Sequence, residues 1–340
     1  MQKPQAHWLP DGKRLHLNHG PIDLIIEAFG KRHEVEAAYA QAVARFQTIL
    51  SELVAELPVL RRAVEPVRVS VATPSELYNL NAQSFRLTGP TAGRMYSAVL
   101  PYAETFVTPM AAVAGSVADE IMAALLAGRA IDKAYVNNGG DIALHLEAGQ
   151  ELNIAVVGTG HGFSDRVVVR ADDPVRGVAT SGWRGRSFSL GIADAVTVLA
   201  RTGAEADAAA TMIANAVDLP GHPAVRRLPA NELAPDSDLG ARMVTVGVGA
   251  LSPADISEAL ASGLAVAEEL RRRGLIEATA MFLDCTTVTC GTMRSSAEFS
   301  TENLRPFAPS SVLPDISSAG GSRPLRFRQP TTLQKRAPCC

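Results

Sequence analysis

The stretch KAYVNNGGDIALHL, residues 133–146, decides the fold of this 340-residue chain. Two short runs within it, Lys133–Asn137 and Ile142–Leu146, are rich in apolar residues and have the length of strands. The residues between them, NGGD at 138–141, are of the types that favour a tight turn. The stretch therefore predicts a β-hairpin with antiparallel strands.

Further strands on both sides extend this hairpin into a sheet. Upstream, alternating apolar and polar residues over Lys13–Asn18 and Ile22–Phe29 predict another hairpin. Downstream, strands are predicted at residues 151–157, 166–170, 193–200, 243–249 and 275–283. Because short turns join many of these strands, the pattern predicts an antiparallel or mixed meander.

Helices are predicted to pack on this sheet. A helix over about 34–57 has apolar residues at three- and four-residue steps and is expected to end at Pro58. A second helix begins at Thr108 and Pro109, residue types preferred at the N-cap and at the first helical position. Two more are predicted at 204–217 and 252–273. Strands and helices in this arrangement predict the α+β fold class.

Composition and charge exclude several classes of protein. Hydrophobic residues make up 47% of the chain and charged residues 20%, which is ordinary for a protein with a buried core. The net charge of −3 argues against a nucleic-acid-binding protein. No apolar run approaches the roughly 18 residues that a membrane span needs, and the N-terminus lacks the apolar run of a signal peptide. The sequence predicts a cytoplasmic protein with no membrane partner, and it leaves homo-oligomerisation open.

The chain is predicted to contain one folded body. Residues 1–12 are expected to form a flexible N-terminus, residues 13–284 a single α+β body, and residues 285–340 a disordered tail without periodic patterning. All four cysteines, at positions 285, 290, 339 and 340, lie in this tail. Their spacing does not match a zinc site, so free thiols are expected.

Small residues at the start of the second helix form the first candidate site. Gly115 and Ser116 follow the Thr108 start, and Asp119 comes one turn later. A helix N-terminus offers free N–H groups and a positive dipole end, which suit a phosphate. The alternative is a core helix that packs closely against a neighbour.

The turn Asn138, Gly139 and Gly140 is the second candidate. Two consecutive glycines let a ligand contact the backbone. The same residues are also typical of an ordinary hairpin turn, which is the alternative.

The third candidate is the segment GVATSG, residues 177–182, together with Trp183, Arg184 and Arg186. Guanidinium groups beside hydroxyls and glycines can bind phosphate through forked hydrogen bonds. Trp183 could stack on a planar ring. The alternative is a surface loop.

The last two candidates are rich in oxygen ligands. Asp207 and Thr211 are four residues apart and share a helix face, where they could hold Mg²⁺ with Asp194 adding charge; the alternative is a solvated helix face. Residues 236–238, DSD, with His222 upstream, resemble a metal loop, but an Asx-turn explains them as well.

Taken in order, the first four candidates resemble the FAD:protein FMN transferase (ApbE-like) superfamily. The family's A-I-A-K-G-x-x-x-D element corresponds to residues 112–119, its strand-end Gly-Gly to 139–140, its A-T-S-G to 179–182, its S-V-T-V to 195–198 and its A-D-A-L-A-T to 206–211. Longer sequence segments, such as TPMAAVAGSVADE at 108–120, are similar to those of a less characterised bacterial and archaeal sister branch. That likeness extends from about Leu15 to Asp284.

The resemblance implies that the chain binds a flavin nucleotide, FAD or FMN, and that Asp207 and Thr211 hold Mg²⁺. Motifs and resemblance together give one set of nucleotide-binding residues: Thr108, Gly115, Ser116, Asn138, Gly139, Gly140, Thr180, Ser181, Gly182, Trp183, Arg184 and Arg186. Asp141 and Asp194 are the candidates for a general base.

The chain also departs from the transferases. They carry an H-x-x-D-P-x-x-G element between A-T-S-G and S-V-T-V, whereas residues 183–194 here contain no histidine, and the lysine of A-K-G is missing. The leading hypothesis is a Mg²⁺-assisted enzyme acting on a flavin nucleotide or related nucleotide diphosphate. The alternatives are a non-catalytic binding protein for a flavin or other anionic metabolite, and a scaffold protein without a ligand.

Overall fold

The structure, a computed structural model, describes residues 3–66, 87–155 and 166–294, and this part of the chain contains strands and helices in alternation. The strands are β1 (Gln5–Trp8), β2 (Leu15–His19), β3 (Ile22–Gly30), β4 (Ile131–Asn138), β5 (Asp141–Leu146), β6 (Glu151–Ala155), β7 (Arg166–Arg170), β8 (Gly177–Ser181), β9 (Ala195–Ala200), β10 (Val225–Pro229), β11 (Met243–Val248), β12 (Ala278–Leu283) and β13 (Thr286–Cys290). The helices are α1 (Arg32–Leu60), α2 (Pro90–Val99), α3 (Val113–Leu126), α4 (Gly203–Ala216), α5 (Ala230–Leu233) and α6 (Pro253–Arg272). Short 3₁₀ helices cover Leu100–Tyr102 and Pro109–Ala112.

A nine-stranded sheet is the centre of the fold. Its strand order is β1-β2-β3-β4-β5-β8-β9-β12-β13, and every neighbouring pair is antiparallel. Two separate pairs, β6-β7 and β10-β11, are also antiparallel. The predicted α+β class with an antiparallel meander is therefore confirmed.

The β4–β5 hairpin forms as the NGGD turn predicts. Gly139 and Gly140 have φ values of +66° and +119°, which residues with a side chain rarely adopt. The side chain of Asn137 accepts a hydrogen bond from the N–H of Gly140 at 2.8 Å and so fixes the turn. This geometry makes Asp141 the first residue of β5.

Helices cover one face of the sheet in two groups. Helices α1 and α3 pack on β2, β3 and β4, with Phe46 and Ile121 among their fully buried residues. Helices α4 and α6 pack on β8, β9 and β12. On the opposite face, the β6–β7 pair packs against residues such as Val178 and Phe282, so β9 and β12 are buried on both sides.

The contact between α3 and α4 explains the small residues of α3. A Cβ atom added at Gly115 would lie 2.1 Å from the carbonyl oxygen of Gly203, at the start of α4. Each helix also holds the other's first turn: the carboxylate of Asp119 on α3 accepts from the N–H groups of Gly203 and Ala204, at 2.9 and 2.8 Å. The carboxylate of Asp207 on α4 accepts from the N–H of Gly115 at 3.0 Å. The packed-core interpretation of this segment therefore holds.

One stretch meets the length and hydropathy of a membrane span, contrary to the sequence-based expectation. Pro109–Leu126 has 18 residues and a mean hydropathy of 1.4, and 56% of it is buried inside the protein. Its burial against α1 and α4 is typical of a core helix in a globular domain.

The folded body is longer than residues 13–284 at both ends. Strand β1 lies within the segment expected to be flexible and pairs with β2, and β13 continues the sheet past residue 284. The rest of the predicted tail, residues 295–340, lies outside the described residues. Sequence patterning missed β1 because only four residues form it, all of them exposed.

Other boundaries also differ from the predictions. Helix α1 continues through Pro58 to Leu60, because a proline in the last turn removes only one internal hydrogen bond. The Pro- and Asp-rich residues 220–238 contain β10 and α5 rather than only a loop. Thr108 does not cap a helix with its side chain, and a 3₁₀ turn precedes α3.

We expect Gly115→Ala to lower the melting temperature by about 5–10 °C, because the added methyl group meets backbone that cannot rotate away. The control is Gly247→Ala on β11, where the nearest atom to a new Cβ is Nη2 of the Arg226 side chain at 3.5 Å. That change should alter the melting temperature by no more than about 2 °C. Equal melting temperatures for the two variants, measured by circular dichroism, would contradict the close helix contact.

Candidate functional site

A cavity of about 1140 Å³ opens between the β4–β5 turn, the residues after β8 and one face of α4. The 3₁₀ turn Pro109–Ala112, strand β6 and residues 234–239 contribute the other walls. Small-molecule sites typically have volumes of roughly 300–1,000 Å³. The cavity is therefore large enough for a nucleotide.

Two half-buried carboxylates, Asp141 and Asp207, lie in the wall of this cavity. Asp141 accepts a hydrogen bond from the backbone N–H of Thr180 at 3.3 Å. Burial raises the pKa of Asp141 to about 7. Burial, followed by the charge of nearby Asp141, raises the pKa of Asp207 well above its ordinary value. The two groups are thus poorly hydrated and close enough to repel each other.

Thr211 completes a set of oxygen ligands with these carboxylates. It lies one turn after Asp207 on α4, and both side chains line the cavity. Within residues 3–66, 87–155 and 166–294, no group of three or more His, Cys, Asp or Glu residues suited to a metal is found. A sparse oxygen set fits Mg²⁺, which is usually held by one or two carboxylates together with substrate phosphates and water.

Arg186 lies against the β4–β5 turn at the same end of the cavity. A Cβ atom at Gly139 would lie 1.7 Å from Nη2 of Arg186, so this position of the guanidinium requires a glycine. The charge of Arg186 lowers the pKa of Asp141, although burial has the larger, opposite effect. This end of the cavity therefore combines one guanidinium group with two carboxylates.

Other predicted residues also line the cavity. They are Thr108, Gly140, Thr180, Ser181 and Gly182. The segment 177–181 is strand β8 rather than a loop, and its hydroxyl at Thr180 pairs with that of Thr197 at 2.9 Å. The hydroxyl of Thr108 is bonded to the carboxylate of Asp238.

Trp183, Arg184 and Asp194 form a separate cluster outside the cavity lining. Nε1 of Trp183 donates to Oδ1 of Asp194 at 3.2 Å, and the Arg184 guanidinium, 4.6 Å from the Trp183 ring centroid, pairs with the same oxygen. The second oxygen of Asp194 accepts from the N–H of Asp284 at 2.8 Å. Asp194 therefore anchors the β12–β13 turn. Its role as a base and the contacts of Trp183 and Arg184 with a nucleotide stay predictions.

Gly115, Ser116 and Asn138 also lie outside the cavity lining. All three are buried, and Nδ2 of Asn138 donates to the carbonyl oxygen of Ala114 at 3.0 Å. Gly115 and Asn138 thus hold α3 against α4 and β4, which favours the packing alternative, and the ligand contacts of all three residues stay predictions. Sequence alone could not separate the two roles, because close packing and ligand access both favour small residues.

Residues 236–238 line the cavity as a turn rather than as a metal loop. The N–H of Ser237 donates to the carbonyl oxygen of Ala234, and its hydroxyl accepts from the N–H of Leu239. His222 is distant from them and lies 3.5 Å from the carboxylate of Asp255. The turn alternative therefore describes this segment.

An apolar half of the cavity was missed in the sequence. It is formed by Tyr135, Ile142, Leu144, Leu152 and Ile154, with Phe106 and Phe188 elsewhere on the wall. Most of these residues belong to strands. Alternation along a strand predicts which side chains share a face of the sheet, but it does not predict whether that face borders a cavity or the hydrophobic core.

Comparison with known proteins places the chain among relatives of similar sequence. The family model described as AbpE bacteria matches residues 6–295. A UPF0280 protein of Methanopyrus kandleri is 33% identical over 194 residues, covering 57% of this chain and 69% of that protein. A UPF0280 protein of Methanothermobacter thermautotrophicus is 38% identical over 135 residues, which are 39% of this chain and 50% of that protein. The resemblance inferred from the motifs, including the sister branch, is confirmed.

Two solved structures show a partial likeness. The apo form of flavinyl transferase ApbE from Pseudomonas stutzeri has 13% identity and a TM-score of 0.39, covering 86% of this chain and 95% of that one. A mutant of flavin transferase ApbE from Vibrio cholerae has 14% identity and a TM-score of 0.42, covering 84% and 98%.

The carboxylate pair predicts an inverse dependence of stability on pH in metal-free protein. In the unfolded chain both groups ionise near pH 4. Because their pKa values are raised in the folded state, the folded protein holds protons that the unfolded chain has released, and the free energy of unfolding falls as pH rises from about 4 to about 7. Asp207→Asn should therefore raise the melting temperature at pH 8, by roughly 2–4 °C per kcal/mol gained, and the gain should shrink toward pH 5.

The control for this prediction is Asp132→Asn, which removes an exposed carboxylate from β4. Its melting temperature should follow that of the unmodified chain at each pH. A gain for Asp207→Asn that is constant between pH 5 and pH 8, measured by scanning calorimetry with a chelator present, would contradict a strained carboxylate pair.

Proposed function

We propose that this chain, which belongs to the AbpE bacteria family, is a Mg²⁺-assisted enzyme acting on a flavin nucleotide or a related nucleotide diphosphate. The observation that carries the proposal is the half-buried pair Asp141 and Asp207 beside Arg186 at one end of a large cavity. Strongly perturbed carboxylates in a cleft are typical of functional sites. The reaction class that we propose is FMN transfer, the reaction of the superfamily that the motifs resemble.

Asp207 and Thr211 would hold the cation, with Asp141 supplying further negative charge. Two carboxylates that repel each other in a buried position favour an added positive charge. When bound, Mg²⁺ would neutralise charge on the phosphates of the nucleotide. Helix α4 fixes the two ligands one turn apart, and the α3 contact fixes the carboxylate of Asp207 through the N–H of Gly115.

Arg186 would bind the diphosphate next to the carboxylates. A guanidinium forms two parallel hydrogen bonds with a phosphate, and it stays charged at any physiological pH. Gly139 and Gly140 leave the backbone of the turn open to close approach. This end of the cavity thus carries a guanidinium group and two carboxylates, which match the phosphates and the metal of a metal–diphosphate complex.

The apolar half of the cavity would hold the flavin ring. Ile142, Leu144, Leu152 and Ile154 come from adjacent parts of the sheet and the β6–β7 pair, and they form a dry wall. Tyr135 adds an aromatic ring there, with its hydroxyl donating to Glu27 at 3.0 Å. Ligand sites commonly combine such a wall with a few polar groups.

Asp141 is the base we assign to the reaction. An acceptor hydroxyl would attack the phosphorus of the flavin-side phosphate, forming a new P–O bond while the bridging P–O bond breaks and AMP leaves. The hydroxyl proton would pass to Asp141, whose pKa of about 7 suits proton exchange near neutral pH. We prefer Asp141 to Asp194 for this role because the carboxylate of Asp194 is already engaged by Arg184 and Trp183.

A non-catalytic binding protein is the second candidate, because no histidine lines the cavity within the described residues. The interval 183–194 also lacks the H-x-x-D-P element of the transferases. The binding protein would hold a flavin or another anionic metabolite in the same cavity without turnover. Incubation with FAD, Mg²⁺ and candidate acceptors, followed by chromatography for AMP, separates them, since only an enzyme releases AMP.

Asp207→Asn should abolish the Mg²⁺ dependence of FAD binding, because it removes a full negative charge from the cation site without a change in size. We expect calorimetric titrations of the unmodified chain to show at least a tenfold gain in FAD affinity with Mg²⁺, a gain of about 1.4 kcal/mol or more. The matched control is Glu205→Gln on the same helix, which should keep the gain. Identical Mg²⁺ responses in all three proteins would contradict the proposed cation site.

Arg186→Ala should weaken FAD binding about 10- to 100-fold, the loss expected for a charged hydrogen-bonding partner. Arg184→Ala, two residues away, should leave the affinity within about twofold, since its guanidinium pairs with Asp194 outside the cavity. Fluorescence quenching of FAD reports both affinities. Equal effects of the two substitutions would show that the structure misassigns the phosphate contact.

A further inference from the structure

A second cavity of about 800 Å³ lies beside the first. Four residues line both cavities and form the boundary between them: Phe106, Leu190, Met212 and Asn215. Two of the four, Met212 and Asn215, come from α4, the helix that also carries Asp207 and Thr211. One helix therefore separates the carboxylate pair from a neighbouring space of ligand size.

Three arginines and three carboxylates line the second cavity, but they differ in their ion pairs, one of which is made with Arg272 outside the lining. Arg227 pairs with Asp218, and Glu269 pairs with Arg272 at 2.8 Å. Among the described residues, Arg242 and Arg273 have no carboxylate at ion-pair distance. Glu104 is the one carboxylate of the lining that likewise has no ion pair within the described residues. Two cations therefore stand against one carboxylate, which favours an anionic ligand.

Both unpaired guanidinium groups are held in place by contacts that leave donors available. Cζ of Arg242 lies 3.1 Å from the centroid of the Phe106 ring, and a guanidinium stacked on a ring keeps its N–H groups pointing outward in its plane. Nη2 of Arg273 donates to the carbonyl oxygen of Pro101 at 2.8 Å, and this uses only one of its five donors. Arginines positioned in this way bind carboxylate or phosphate with forked hydrogen bonds.

Much of the remaining lining is apolar. Val266 and Leu270 of α6 face this space together with Met212 of α4 and Met243 of β11. Methionine side chains adapt to ligands of different shape. The cavity thus offers an apolar wall and a cationic end, the combination that suits a small amphiphilic anion.

We propose that the second cavity binds a separate small ligand with an anionic head group, a carboxylate or a phosphate, on an apolar body. Arg242 and Arg273 bind the head group, and the α4–α6 wall covers the apolar body. The binding itself does not depend on the function proposed for the first cavity.

The probes for this site are hexanoate, hexyl phosphate and 1-hexanol, titrated calorimetrically into the full chain without Mg²⁺ or flavin. At least one of the two anions should bind, and 1-hexanol should bind at least tenfold more weakly because it lacks the charge. The tighter of the two anions identifies the head group. Absence of binding by both anions, or equal affinity for 1-hexanol, would overturn the proposal.

Three variants locate the binding. Arg242→Gln/Arg273→Gln should weaken anion binding at least tenfold, whereas Arg271→Gln, a matched exposed arginine in the last turn of α6, should not change it. Arg186→Gln should also leave it unchanged, which distinguishes this site from the first cavity and from failure of the proposed function. If the double variant does not fold, Arg242→Gln alone replaces it. Unchanged affinity in whichever of these variants folds would overturn the assignment.

Discussion

The close approach of α3 to the first turn of α4 is the contact on which the site depends. At Gly115 and Gly203 the two backbones are too close for a side chain, and each helix supplies a carboxylate to the other's N–H groups. Asp119 holds the start of α4, and Asp207 holds the start of α3. This reciprocal arrangement fixes the face of α4 that borders both cavities.

The two carboxylates of this contact, Asp119 and Asp207, differ in how the cost of removing them from water is offset. Asp119 accepts hydrogen bonds from two backbone groups, which offset part of the free-energy cost of removing it from water, although its pKa is still raised to about 6. Asp207 shares the cavity wall with Asp141, and the charge of Asp141 adds to the effect of burial. Such a pair is stabilised by bound protons or by an added positive charge, and in the proposed function a metal–nucleotide complex would supply that charge.

The sequence predicts the parts of this protein whose signals are local. The NGGD turn defines the β4–β5 hairpin, Ser252 forms the capping box of α6, and the four-residue spacing puts Asp207 and Thr211 on one face. It cannot distinguish Arg184 from Arg186, because the conformation of the turn between them decides which guanidinium enters the cavity. It also cannot assign the apolar wall, since burial in a core and burial beside a ligand require the same side chains.

The central claim is that Asp207 and its neighbours place a divalent cation against the diphosphate of a flavin nucleotide. Phosphorus NMR of FAD saturated with protein tests it directly, with Mn²⁺ added in place of Mg²⁺ at a small fraction of the protein concentration. The account predicts that the diphosphate resonances of bound FAD broaden at these low Mn²⁺ levels in the unmodified chain and stay sharp in Asp207→Asn. Resonances that stay sharp in both proteins, or broaden equally in both, would contradict it.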